Sequence, residues 1–364
     1  MLNLLLKEIR HSPLLWLLVF VPVALAGEKL RPESHTLLFV LSVLAIVPLA
    51  ALLSHATESV AAKTGDAVGG LLSATLGNLT ELVIAIAALS AGQYMLVKAS
   101  IAGVIVTKTL FTLGTSFLLG GMKHHVQEYN QVGARFQAGL LFLSTIGLLI
   151  PSAVADADRA PGAFTQTLSL GIGVLLLVAY GLGMLYSLKT HRELFAGGEH
   201  GEAGAVVWPL TLALLVLGGV TVLVSLVSEV FVESVQAAAA SFGMSAAFVG
   251  FIVVALVGGV PEMATAFSGA RKNRLDMAVG ISLGGASQIS LLVAPVLLLL
   301  SYVLGPAPMN LQFWPGAVVM ILIATLTAAL VTNSGRSTWF VGVLMLMVYS
   351  IFALTLYLLP PQAQ

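Results

Sequence analysis

Cysteine is absent from the 364-residue chain, which excludes disulfides and thiolate metal sites. Charge is scarce too. Asp, Glu, Lys and Arg make up 9% of residues, against roughly a quarter in soluble chains, and the formal net charge is zero. No Lys/Arg-rich run exists, so the electrostatic footprint of nucleic-acid binding is missing. No Gly-Lys-Ser/Thr motif exists either, which excludes a nucleotide partner and a direct ATP drive.

What remains is apolar. Hydrophobic residues make up 58% of the chain, a composition that only lipid can solvate without aggregation. Windows of about 20 apolar residues bounded by charge or Gly/Pro clusters predict eleven transmembrane helices, at 14–26, 36–57, 69–92, 95–121, 132–155, 165–188, 205–232, 245–270, 274–305, 311–332 and 338–359. The expected fold class is an all-α polytopic membrane protein. Lys7 and Arg10 ahead of the first run resemble a signal-peptide n-region, but the run is expected to stay as the first helix because no small-residue cleavage site followed by a soluble domain appears.

Sorting cations by side orients the chain. Lys7, Arg10, Lys63, Lys123, Arg135, Lys189, Arg192, Arg271, Lys272, Arg274 and Arg336 share the side of the N-terminus, whereas Lys29, Arg31, Lys98 and Arg159 lie opposite. The positive-inside rule places the N-terminus in the cytoplasm and, with an odd span count, the C-terminus outside. A prokaryotic plasma membrane is the economical location.

The sequence also repeats itself. Residues 68–89 (VGGLLSATLGNLTELVIAIAAL) echo 249–270 (VGFIVVALVGGVPEMATAFSGA), with Gly69 and Gly250, and Glu81 and Glu262, recurring at one offset of 181 residues. The reading divides the chain into an N-terminal helix and loop (1–35), a first five-helix repeat (36–188), a polar cytoplasmic linker (189–204) and a second five-helix repeat (205–364). Five helices per unit invert the second unit relative to the first, the architecture of alternating-access transporters.

Glu81 and Glu262 lie well inside hydrophobic spans, where an uncompensated carboxylate is prohibitive; each must be paired, protonated or holding a cation. Thr75, Gly77, Asn78 and Thr80 stand beside Glu81, and Gly258, Gly259, Pro261 and Thr265 beside Glu262. Gly and Pro break helices and free carbonyls, and hard cations take carbonyls, amides and carboxylates. The bland alternative is a protonated helix-helix contact on a tightly packed small-residue face.

Three runs carry a family resemblance: LSHATESVAAKTGDAVGGLLSATLGNLTELVIAIAAL at 53–89, GGMKHHVQEYNQVGARFQAG at 120–139 and RKNRLDMAVGISLGGASQISLLVAP at 271–295. They resemble the calcium/proton exchangers of the calcium:cation antiporter superfamily, over roughly residues 50–355 in order. The resemblance implies a secondary antiporter, not an enzyme and without cofactor, in which Glu81 and Glu262 bind Ca²⁺ or H⁺ alternately. Asn78 and Gln288 are then the expected amide-oxygen ligands, with Thr75, Ser100, Thr107 and Ser287 as further oxygens.

The chain departs from the family pattern at the site. The second-repeat motif Gly-Asn-x-x-Glu-His reads Gly258, Gly259, Val260, Pro261, Glu262, Met263; paired serines before the glutamine are Gly285 and Ala286; and Ser-Asn in the span after Glu81 is Thr107 and Lys108. Family glutamates elsewhere are His55 and Val341. Lys108 lies 27 residues after Glu81, much as Gln288 lies 26 after Glu262, so both are expected near the acids. Lys108 is too deep to snorkel, unlike Lys98 near a span end. Two carboxylates and one ammonium leave a charge of −1. Lys108 is therefore either a proton carrier that discharges as a divalent ion enters, or a fixed counter-ion in a monovalent cation/proton antiporter; a transport-inactive scaffold or sensor is the third reading.

His124, His125 and Glu128 are expected in a solvated loop. Asp156 and Asp158 are read as ending a helix, and Glu58, Glu229 and Glu233 as lying near span ends.

Overall fold

A computed structural model describes residues 12–64, 66–155, 162–195 and 207–359. Lys7, Arg10, Asp156, Asp158, Arg159 and residues 196–206 of the expected linker lie outside the described residues.

The described chain is helical almost throughout. In order come α1 (Pro13–Leu30), α2 (His35–Lys63), α3 (Asp66–Leu76), α4 (Leu79–Ser90), α5 (Tyr94–His124), the strand β1 (Val126–Glu128), α6 (Gln131–Ala155) and α7 (Phe164–Thr190). The second half holds α8 (Leu210–Ser241), α9 (Ala246–Gly258), α10 (Val260–Arg271), α11 (Leu275–Leu304), α12 (Pro315–Thr332), β2 (Arg336–Thr338) and α13 (Trp339–Leu358). Nine of the helices among the described residues are long and apolar enough to cross a bilayer, and ten crossings result if α9 and α10, bent by 59°, count as one. Eleven is reached only by also joining α3 and α4, so the expected single spans at 69–92 and 245–270 are each two half-helices.

Both interruptions have a local cause. Asn78, between α3 and α4, and Gly259, between α9 and α10, share the 181-residue offset and nearly the same backbone, φ −100° and ψ 24° against φ −85° and ψ 1°. Pro261, which lacks an N–H, starts the helix after the second break. The breaks leave orphan N–H groups at the starts of α4 and α10, and each first turn carries an acid, Glu81 or Glu262.

Burial identifies the central helix. In α5, 89% of the best apolar window is buried, against 17% in α1 and in α7. Glycine lets α5 approach α9 to backbone contact: a Cβ at Gly103 would stand 2.2 Å from the Phe251 carbonyl oxygen, and one at Gly250 would stand 2.7 Å from Ala99 Cβ. Lipid offers no hydrophobic drive between helices, so such close crossings supply the packing. The same device joins α5 to α13, where a Cβ at Gly342 would stand 2.4 Å from the Gly114 oxygen.

Two irregular segments tie the halves together. β1 pairs antiparallel with β2, Gln127 opposite Ser337, a two-stranded ribbon that the all-α expectation lacked. Gln127 Nε2 donates to Ala270 O and Asn273 Oδ1 at 2.9 Å, so the ribbon also holds the end of α10. Residues 305–314 fold over the other end, burying Met309, Leu311 and Phe313, and Ser301, Ser169 and Ser152 hydroxyls accept the backbone N–H groups of those three residues in turn. Lys98 donates to Asn310 Oδ1 at 2.7 Å in this segment rather than snorkelling to water.

Gly103→Val inserts a branched side chain into the α5–α9 backbone contact and should cost about 3 kcal/mol or more. The measurement is thermal melting with size-exclusion chromatography in detergent; a variant as stable and monodisperse as the parent contradicts the crossing.

Candidate cation site

Glu81, Glu262, Asn78, Gln288 and Lys108 form one polar cluster, assembled from α4, α10, the first break, α11 and α5. Lys108 lies in a π-helical turn of α5, Thr107–Thr112, and Gln288 precedes another in α11, Ile289–Val293. Such turns widen a helix locally and recur at functional sites. The ammonium of Lys108 donates to Asn78 Oδ1 at 2.7 Å and pairs directly with Glu262 Oε2, with Glu81 Oε1 3.9 Å away. Asn78 Nδ2 in turn donates to Gln288 Oε1 at 2.7 Å. A chain of bonds thus runs from lysine through asparagine to glutamine and links the two halves.

Burial sets the energetics of this cluster. Asn78, Lys108 and Glu81 are 1%, 3% and 6% exposed, whereas the Glu262 side chain is 21% exposed. Glu81 Oε1 is buried with no hydrogen-bond donor among the described residues. Charges this sealed persist only because they face one another, and removing one partner from such a group typically costs about 3–5 kcal/mol. Glycine provides the clearance: a Cβ at Gly258 would stand 3.2 Å from Glu81 Cγ, and one at Gly285 would stand 2.8 Å from both Cδ and Nζ of Lys108.

Three expected ligands have their hydroxyls engaged elsewhere, and a fourth is exposed. Ser100 donates to Val97 O at 2.8 Å within its own helix; Thr107 is 3.3 Å from the Tyr349 hydroxyl; Ser287 donates to Gln137 Oε1 at 2.9 Å and Gly284 O at 2.8 Å; and Thr75 is exposed on α3. Tyr349, Gln137 and Gly285 were missed by sequence reasoning. Tyr349 and Gln137 had a signal, since each is a polar group inside an apolar span, but Gly285 registered only as a lost serine.

The donors in reach of a cation are oxygens alone, two carboxylates and two amides, the preference of hard cations rather than of soft transition metals. No group of three His, Cys, Asp or Glu suited to a metal exists among the described residues. His124 Nε2 lies 3.0 Å from Arg271 O and Glu128 pairs with Arg336 at 2.9 Å on the surface. Glu58, Glu229 and Glu233 are exposed on α2 and α8.

Asn78→Leu removes the acceptor of the ammonium and the donor to Gln288 together, and should cost about 3 kcal/mol or more of stability. Ser100→Ala, which loses only a bond within its own turn, should stay within about 1 kcal/mol. Equal melting temperatures for the two variants would contradict the assignment of Asn78 to the network.

Comparison with known proteins places this geometry. The model of the sodium/calcium exchanger protein family matches residues 34–189 and again 212–358, one match to each half. A Ca(2+)/H(+) antiporter of Aphanothece halophytica is 35% identical, covering 94% of this chain and 96% of the relative. The Ca(2+)/H(+) antiporter ChaA of Bacillus subtilis is 34% identical, covering 93% and 97%. The solved structure of native YfkE superposes with a TM-score of 0.82 at 33% identity, over 95% of this chain and 100% of that one. The H+/Ca2+ exchanger CAX shares the fold at a TM-score of 0.72 and 15% identity. By residues, by fold and by both halves separately, this chain belongs to the sodium/calcium exchanger protein family.

Proposed function

We propose that this protein is a secondary antiporter that exchanges Ca²⁺ for H⁺ by alternating access, with no covalent step. The observation that carries the reading is the convergence of Glu81 and Glu262, each from the first turn after a helix break, on the single buried position of Lys108 Nζ. The Ca(2+)/H(+) antiporters among the full-length relatives support the substrate assignment. Glu81 and Glu262 act as shared ligands and proton acceptors, with Asn78 and Gln288 contributing amide oxygens. A proton and a metal ion compete for the same carboxylates, so one must leave before the other binds, and this competition couples their movements.

The repeat boundaries at 36–188 and 205–364, joined by a cytoplasmic linker, complete the proposal, and the double family match supports it. The cation count supports a cytoplasmic N-terminus and an outside C-terminus, and a prokaryotic plasma membrane is part of the same reading. The ammonium at Glu262 favours a second reading, a monovalent cation/proton antiporter, because it leaves the two carboxylates a net charge of −1.

The test is ion flux into vesicles reconstituted with the whole protein under an imposed pH gradient, with Ca²⁺, Na⁺ and K⁺ run separately. Ca²⁺ is expected to move opposite to protons, and Glu81→Gln and Glu262→Gln should each reduce the flux to that of empty vesicles. Because protons compete with the metal, apparent Ca²⁺ affinity should fall as the pH is lowered. Flux of no cation above empty vesicles would remove the transport reading; Na⁺ or K⁺ flux without Ca²⁺ would select the second reading.

A further inference from the structure

The position at which the acids converge is occupied from within the chain. Lys108 Nζ touches Glu262 Oε2, lies 2.7 Å from Asn78 Oδ1 and lies 3.9 Å from Glu81 Oε1. An ammonium is a compact cation with three donors and no acceptor, and its neighbours here are oxygens drawn from both halves. A calcium ion sits about 2.3–2.6 Å from its ligand oxygens. Bound to Glu262 and Asn78, it would fall on the same point as the lysine nitrogen, where it would meet both steric exclusion and like-charge repulsion. An external cation therefore loads only after the ammonium has left.

The lysine fits because of a second residue on another helix. Gly285 follows the π-helical turn Gly280–Gly284 of α11, and a Cβ there would stand 2.8 Å from both Cδ and Nζ of Lys108. Lys108 and Gly285, 177 residues apart in sequence, are thus fitted to each other: the bulk of the lysine on α5 is accommodated by the missing side chain on α11. Asn78 responds to the same arrangement, because its oxygen faces the ammonium while its amide nitrogen faces Gln288.

We infer that Lys108 and Gly285 are a specificity-determining pair, in which a tethered ammonium berthed against Gly285 competes with external cations for Glu262 and Asn78 and weakens divalent binding. The inference rests on the cation-site reading above and adds to it an internal competitor. Its consequence is directional: evicting the ammonium tightens calcium binding, whether the lysine is replaced or its berth is filled.

Calorimetric titration of CaCl₂ into the whole protein in detergent tests this with Lys108→Asn, Gly285→Ser and the double variant. Lys108→Asn should lower the calcium Kd at least about tenfold, a modest expectation for removing a like charge that otherwise holds the ion's own position. Gly285→Ser should shift the Kd in the same direction with the lysine still present. The double variant should bind no tighter than Lys108→Asn, since the two changes remove one and the same competitor. Calcium binding by Lys108→Asn as weak as the parent's overturns the inference, and tightening by Lys108→Asn alone overturns the role of Gly285. Additive effects overturn their joint action. The substitutions lie on different helices, so a folding failure of one leaves the other to decide. Absence of calcium binding by the parent and every variant defeats the cation-site reading itself and the inference with it.

Discussion

A charge inside hydrocarbon must be answered by another charge or by dipoles, and the centre of this molecule is organised around that requirement. Glu81, Glu262 and Lys108 are individually untenable at their depth and tolerable together. Their meeting explains why two helices break. An unbroken helix satisfies its own backbone and has nothing left for a carboxylate, whereas α4 and α10 each carry an acid in the first turn, at the positive end of the helix dipole. Irregular backbone at membrane depth survives only where protein encloses it, and α5 with α11 provides the enclosure.

That enclosure depends on very short helix separations. Gly103 and Gly250 bring α5 and α9 to backbone contact, and Gly114 and Gly342 do the same for α5 and α13. Helices held this closely carry the cluster at a fixed spacing, while the π-helical turns at Thr107–Thr112 and Ile289–Val293 leave the polar segments locally wider than an α-helix. Rigidity in the crossings and looseness at the ligands are what a site that reorganises on ion exchange requires.

Much of this was legible in the residues, for physical reasons that can be named. Glu81 and Glu262 stood out because an acid in an apolar span has few explanations, and the shared offset made them a pair. Lys108 was placed near them by the same symmetry. The directions of the hydroxyls were not legible, because residue type and spacing do not reveal which way a side chain turns. Ser100 bonds back to Val97 O, a local option open to any helical serine, and Ser287 found Gln137, a partner 150 residues away in sequence. The spans at 69–92 and 245–270 read as continuous because hydropathy records burial and not direction. A ribbon of three residues per strand, β1 with β2, is too short to leave a period-2 signal.

The ribbon also limits how the protein can move. Val126–Glu128 and Arg336–Thr338 join the far end of α5 to the near end of α13, and Gln127 reaches from that seam to the tail of α10. Any rearrangement of one half against the other must therefore either carry this seam along or break its backbone hydrogen bonds.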